Sequence, residues 1–184
     1  MPLRRALMVS AGGVAVVMLQ ALVFGNQWFF EWVFENDLLE GSGAADLLRS
    51  VLLFPSWRLT PAGGFSSMLV PDFSLLVLFV LLAAFTTLGL MTLDPVRGTT
   101  GALVCGWWAT FLAAGIMAFV RQLLAALLLD YPDPFFRFAV LGGLEYALFA
   151  GWVPGVAVLV AYVLTRPGTA PGWSPEVSGE PAGA

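Results

Sequence analysis

Four long apolar runs, separated by breaks rich in polar residues, glycine or proline, set the pattern of the chain. They extend from about Ala6 to Gly25, Leu69 to Leu93, Gly101 to Leu129 and Phe135 to Thr165. A helix of about 20 residues crosses a bilayer, so each run predicts a transmembrane span. The last two approach 30 residues. At 1.5 Å per residue that is about 45 Å, longer than a hydrocarbon core of about 30 Å, and it predicts tilt, a kink or protrusion. The first run follows Arg4 and Arg5 as a signal peptide would, but its body exceeds the usual apolar region of about 7 to 15 residues. No convincing A-x-A-like site follows it, so it reads as a retained anchor. The expected fold is an all-α integral membrane protein, a four-transmembrane-helix bundle with an extracytoplasmic interfacial segment between the first two helices. Residues 1–166 form its single domain, and the Pro-, Gly- and Ser-rich stretch 167–184 is expected to be a disordered cytoplasmic tail.

The connection over 26–68 is the one sizeable region between spans. Its first part, NQWFFEWVFENDLLE, interleaves aromatic rings with Glu31, Glu35, Asp37 and Glu40, which suits a membrane interface where rings sit at headgroup level and carboxylates stay wet. After Gly41, Ser42 and Gly43, the stretch AADLLRSVLLF is too short to span. Asp46 near its start and Pro55 past its end bound about three helical turns. Such a helix serves either as a lid over the bundle or as a docking surface for a partner.

Composition narrows the function classes. Apolar residues make up 59% of the chain and charged residues 11%, against about 25% charged in soluble domains; such a chain belongs in lipid. The absence of histidine removes imidazole as a metal ligand or proton carrier. A lone cysteine, Cys105, forms no intramolecular disulfide. A net charge of −4 without a basic cluster argues against nucleic acid as a partner. The expected partners are the lipid bilayer and other membrane subunits or further copies of the chain. Arginines beside the spans set the orientation. Arg4, Arg5, Arg97 and Arg166 fall on the cytoplasmic side of a cell membrane if both termini lie there, while Arg49, Arg58, Arg121 and Arg137 fall outside or within the membrane.

The candidate chemistry is an intramembrane polar pair, Arg121 and Glu145. Taking Pro132 in the DYPDP turn as the centre of an antiparallel hairpin, the two lie 11 residues before and 13 after it. They are then about 12 to 15 Å below the ends of their helices. An isolated charge at that depth costs about 2.5 to 3.5 kcal/mol on insertion scales, and pairing relieves it. The third span carries a row of small residues that includes Gly106, Ala114 and Ala118, beside which Arg121 lies. The fourth has its own row, Gly143, Ala147, Gly151 and Gly155; such rows let helix backbones approach closely in lipid. Glu145 projects roughly 140° from the mean direction of that second row at 100° per residue, so two faces of the fourth span want protein neighbours. Pro154 predicts a kink near Ala150, a candidate hinge just inward of Glu145. Gln20, Gln122, Tyr146 and Trp152 are candidate polar neighbours of the pair.

Other motifs are weaker. Asp130 and Asp133 have a spacing able to hold Mg²⁺ against a phosphate, but Pro132 and Pro134 make a turn the better reading. No catalytic residue set, nucleotide fingerprint or metal-ligand cluster is present in the sequence, and no cofactor is expected. Three functions fit: a non-catalytic subunit that stabilises or assembles a larger membrane complex, a small oligomeric transporter or channel using the Glu/Arg pair for protons or cations, and a membrane enzyme acting on lipid or quinone through Asp130, Asp133 or Glu145.

Overall fold

The computed structural model describes residues 1–35, 43–60, 64–94, 98–129 and 136–166. The expected tail, Arg97, Asp130 and Asp133 lie outside these residues. The described residues are helical, with no strand among them. The elements are α1 (Leu3–Phe24), α2 (Gln27–Glu35), α3 (Gly43–Leu53), α4 (Phe65–Met91), α5 (Thr99–Leu129), α6 (Phe136–Ala150) and α7 (Trp152–Leu164). Three of them, α1, α4 and α5, are long and apolar enough to cross a membrane; the bent pair α6–α7 raises the number to four if it counts as one span. The length and composition of these helices are those of a membrane protein.

Sequence chemistry places the breaks. Asn26 ends α1 and starts α2 at once: its amide Nδ2 donates to the carbonyls of Leu22 and Val23, and its Oδ1 accepts the N–H of Phe29, the side-chain capping that asparagine favours at a helix start. Gly64, at φ +121°, holds a backbone that only glycine adopts without strain and leads into α4. At Gly151 the last apolar run bends by 48°. Pro154 has no N–H to give the carbonyl of Ala150, and its ring crowds that carbonyl, so the break falls where the intrahelical ladder is weakest.

Helices α1, α4, α5 and α7 pack around a common core, α1 against α4 and α7, α5 against α4, α6 and α7. The two small-residue rows face each other. A Cβ on Gly143 would come within 2.7 Å of the Ala114 carbonyl and the Ala118 side chain, and one on Gly106 within 2.9 Å of the Gly155 Cα. The backbones of α5 and the bent pair therefore approach closely from Leu103 to Ala118, where dispersion between close backbones replaces the hydrophobic drive that lipid cannot supply. The same device recurs on α4, where Gly89 receives the Cys105 sulfur, and on α1, where Gly13 receives Val158.

One end of the bundle carries Met1, Arg5 and Arg166. There the amino terminus donates to the Met91 carbonyl at 3.0 Å, and Arg5 donates to the Tyr162 carbonyl at 3.2 Å while lying 5.0 Å from the centre of its ring. Tyr162 is fully buried and its hydroxyl donates to the Asp94 carbonyl. The opposite end, where α1 finishes and α4 begins, holds α2 and α3 and is called the loop end below.

A Cβ on Gly155 would meet the Leu103 carbonyl at 2.9 Å and the Trp107 nitrogen at 3.3 Å, both backbone, whereas one on Gly142 meets nothing within 4 Å. Gly155→Ala is therefore expected to cost about 1–3 kcal/mol through overpacking. Gly142→Ala is expected to be neutral or to stabilise by about 0.5–1 kcal/mol through reduced backbone entropy. Equilibrium unfolding in detergent micelles checks both, and equal effects would refute the close α5–α7 crossing.

Candidate functional site

The bend at Gly151 parts the roles of α6 and α7. While α7 packs against α1, α6 contacts α3, which in turn contacts α1. Helix α3 thus stands between α1 and α6 at the loop end, and its Val51, with Phe54 just past its end, packs against the main core. The Phe54 ring stacks on that of Tyr146 with centres 4.7 Å apart and planes 20° from parallel. Tyr146 is fully buried; its hydroxyl donates to Gln20 Oε1 at 3.0 Å, and Gln20 Nε2 donates to the Val51 carbonyl at 3.2 Å. One chain of hydrogen bonds therefore ties α6, α1 and α3.

The segment after α3 closes the same end. Trp57 donates its backbone N–H to the Gly25 carbonyl and its indole N–H to the Ala21 carbonyl, both at 2.9 Å; the Ala21 carbonyl also accepts the Gly25 N–H, so Trp57 ties itself to the last turn of α1. A Cβ on Gly25 would fall 1.9 Å from the Pro55 carbonyl, so only glycine fits there. Gln27 Oε1 accepts the backbone N–H groups of Leu59 and Thr60, each at 3.0 Å. The Arg58 N–H is donated to Asp72 Oδ1 at 2.9 Å, and the Arg58 guanidinium lies 5.3 Å from the centre of the Phe30 ring.

The structure separates the sequence candidates into two groups. Gln20 and Tyr146 meet each other inside the bundle, together with residues that the sequence did not single out, Phe54 and Val51. Glu145, next to Tyr146, is exposed on the opposite side of α6. It shares that side with Leu141, Leu148, Phe149 and Trp152, which are 48–57% exposed. Arg121 is half-buried on α5, within electrostatic reach of Arg58. No ion pair joins Arg121 to Glu145 among the described residues. The reason is rotational: Gly143 and Ala147 face α5, so a residue two positions from each, at 100° per residue, points away from it. Gln122 is half-buried and makes no hydrogen bond among the described residues.

Ala114, Ala118, Gly106, Gly143, Ala147, Gly151 and Gly155 are all buried in the α5 contact with α6 and α7. The Ala147 carbonyl accepts the Gly151 N–H at 3.0 Å and the Trp107 indole N–H at 3.1 Å, so an indole on α5 grips the turn just before the bend. Among the described residues no three His, Cys, Asp or Glu side chains converge to hold a metal ion. Sequence reading also passed over Asp72, although it lies inside the second apolar run; the rule that marks an ionisable residue in a membrane segment applies to it as it does to Glu145. No family model matches the chain, nor does any curated protein or solved structure.

Tyr146→Phe removes one hydrogen bond and leaves the ring stack. It is expected to cost about 0.6–1 kcal/mol. Phe54→Ala removes the stack and part of the α3 wedge and is expected to cost more, about 2 kcal/mol. Unfolding in detergent measures both, and a Phe54→Ala cost no larger than that of Tyr146→Phe would show that α3 does not bear on the core.

Proposed function

We propose that this chain is a non-catalytic integral membrane subunit that stabilises or assembles a larger complex in the cell membrane, as a four-span protein with both termini cytoplasmic and the 26–68 segment at the outer interface. The observation that carries this reading is the position of Glu145. Its carboxylate lies on an exposed face of α6 among Leu141, Leu148, Phe149 and Trp152, about six residues from the bend, with no ion pair among the described residues. A carboxylate directed at lipid costs about 2.5 kcal/mol or more, and a basic or hydrogen-bond-donating side chain from a neighbouring transmembrane helix removes that cost. The opposite face of the same helix is already occupied by α5. A helix with both faces committed to protein belongs at a subunit boundary.

The second reading is a small oligomeric transporter or channel component in which Glu145 takes up a proton or cation. It draws on the same carboxylate and on the adjoining bend, a place where α6 has the means to swing on α7.

The test is purification in mild detergent from native membranes, with mass spectrometry of accompanying proteins, for the native chain and Glu145→Gln. A defined partner set retained by the native chain and reduced about tenfold in the variant, the loss of about 1.4 kcal/mol, is expected for a subunit. A monomer without partners, unchanged in the variant, would rule that out, and loss of proton or cation flux in reconstituted Glu145→Gln would then favour the transport reading.

A further inference from the structure

A groove of about 300 Å³ runs between α1 and α4 at the loop end, at the lower end of the roughly 300–1,000 Å³ found for ligand pockets. Its walls are apolar: Met18 and Leu22 from α1, Leu75, Leu76 and Phe79 from α4. Met18, Leu22 and Leu76 are 47–57% exposed, so the groove opens sideways, toward the hydrocarbon that surrounds a spanning helix. From Asp72 to Phe79 the α4 wall runs about 10 Å at 1.5 Å per residue. A slot of that size holds a single alkyl chain and not a helix, which is about 10–12 Å across.

Trp57 and Asp72 complete the lining, and Asp72 is its one ionisable group. One Asp72 oxygen accepts the backbone N–H of Arg58, the residue after Trp57, so that bond brings both lining residues to the same end of the slot. A carboxylate offers about four lone-pair sites over two oxygens, and the second Asp72 oxygen has no hydrogen-bond partner among the described residues. Such an acceptor among apolar walls is costly until a donor meets it, and a charged donor meets it best. Trp57 is held in place by its bonds to the Gly25 and Ala21 carbonyls, and an indole ring attracts a cation within about 6 Å of its centre. A carboxylate and an indole at one end of an apolar slot select a positive head that bears N–H groups and ends a single apolar tail. No basic side chain lines the groove to meet an anionic head. A phospholipid fits poorly, because its phosphate lies between the acyl chains and any ammonium and would come to rest beside Asp72.

We propose that the α1–α4 groove binds a single-chain lipophilic amine: the alkyl chain lies along Met18, Leu22, Leu76 and Phe79, and the ammonium donates to the second Asp72 oxygen beside Trp57. The amine enters sideways from the bilayer, where its chain is already dissolved, so specificity resides in the head and not in the tail. The site is independent of the Glu145 face, which lies on α6, so it stands or falls separately from the subunit reading.

Photolabelling of the purified full chain in a neutral detergent tests it, with decylamine that carries a diazirine on its chain as the probe and unlabelled decylamine, decanol or decanoate as competitors. Peptide mass spectrometry is expected to find the label concentrated on Met18–Leu22 of α1 and Leu75–Phe79 of α4. Decylamine is expected to displace it at a concentration about tenfold below that of decanol, as a charge-assisted hydrogen bond provides, and decanoate is expected to be the weakest competitor. Asp72→Asn, which keeps an oxygen for the Arg58 N–H, should bring decylamine and decanol to equal potency; partition into detergent is the same for both proteins, so the change in their ratio reports the site. Leu76→Trp, which fills the groove from an exposed position and leaves the Asp72 contact in place, should abolish the labelling at both segments and serves if the Asn variant does not fold. Label spread evenly over the exposed helix faces, decanol or decanoate as potent as decylamine on the native chain, or a preference for the amine that survives either variant would overturn the proposal.

Discussion

A membrane helix must satisfy its own backbone, because lipid offers no hydrogen bonds, and this chain breaks that rule at one point in its last apolar run. Proline at 154 withdraws the N–H that would meet Ala150, and the run bends by 48° at Gly151. Much of the loop end follows from the bend. Below it α7 stays against α1 and α5. Above it α6 remains on α5 but has α3 between itself and α1. The local weakness is contained by neighbouring groups: the Trp107 indole and the Gly151 N–H share the Ala147 carbonyl, and Gly155 resumes the ladder by donating to the Gly151 carbonyl at 3.2 Å.

The two ends of the bundle are fastened by different chemistry. At the end with Met1, Arg5 on α1 donates to the Tyr162 carbonyl of α7 and the buried Tyr162 hydroxyl donates to the Asp94 carbonyl after α4, beside the apolar cluster of Val9, Leu90, Ala102, Val158 and Tyr162. At the loop end, amide and indole side chains hold a folded-back segment, and arginine charges stand without carboxylates paired to them among the described residues.

How far the sequence foretold this depended on which property was being read. Span existence follows from hydropathy alone, so α1, α4 and α5 lie close to their expected ranges, and the Pro154 rule places the bend within one residue of Ala150. Rotation about the helix axis was harder. Arg121 and Glu145 were matched by depth, but the contact of Gly143 and Ala147 with α5 turns Glu145 outward, so no pair forms between them among the described residues. The same contact turns Tyr146 inward to Gln20, two candidates expected near Glu145 that instead bond to each other. Phe54, Trp57 and Gln27 had no legible role, because their partners are far away in the chain, Tyr146 for Phe54 and Ala21 for Trp57, or depend on how the 55–60 segment folds back. Asp72 was legible in principle as a charge within an apolar run and was missed because it sits near the start of that run.

The most direct test of the idea that the outer face of α6 is a protein boundary is photo-crosslinking in native membranes, with a photoreactive residue at Leu148 and, as a control, at Ile116 on the exposed side of α5, which is 40% exposed. A protein adduct of defined mass at Leu148, with lipid adducts alone at Ile116, is the expected result. Lipid adducts alone at both positions would contradict a subunit boundary on α6.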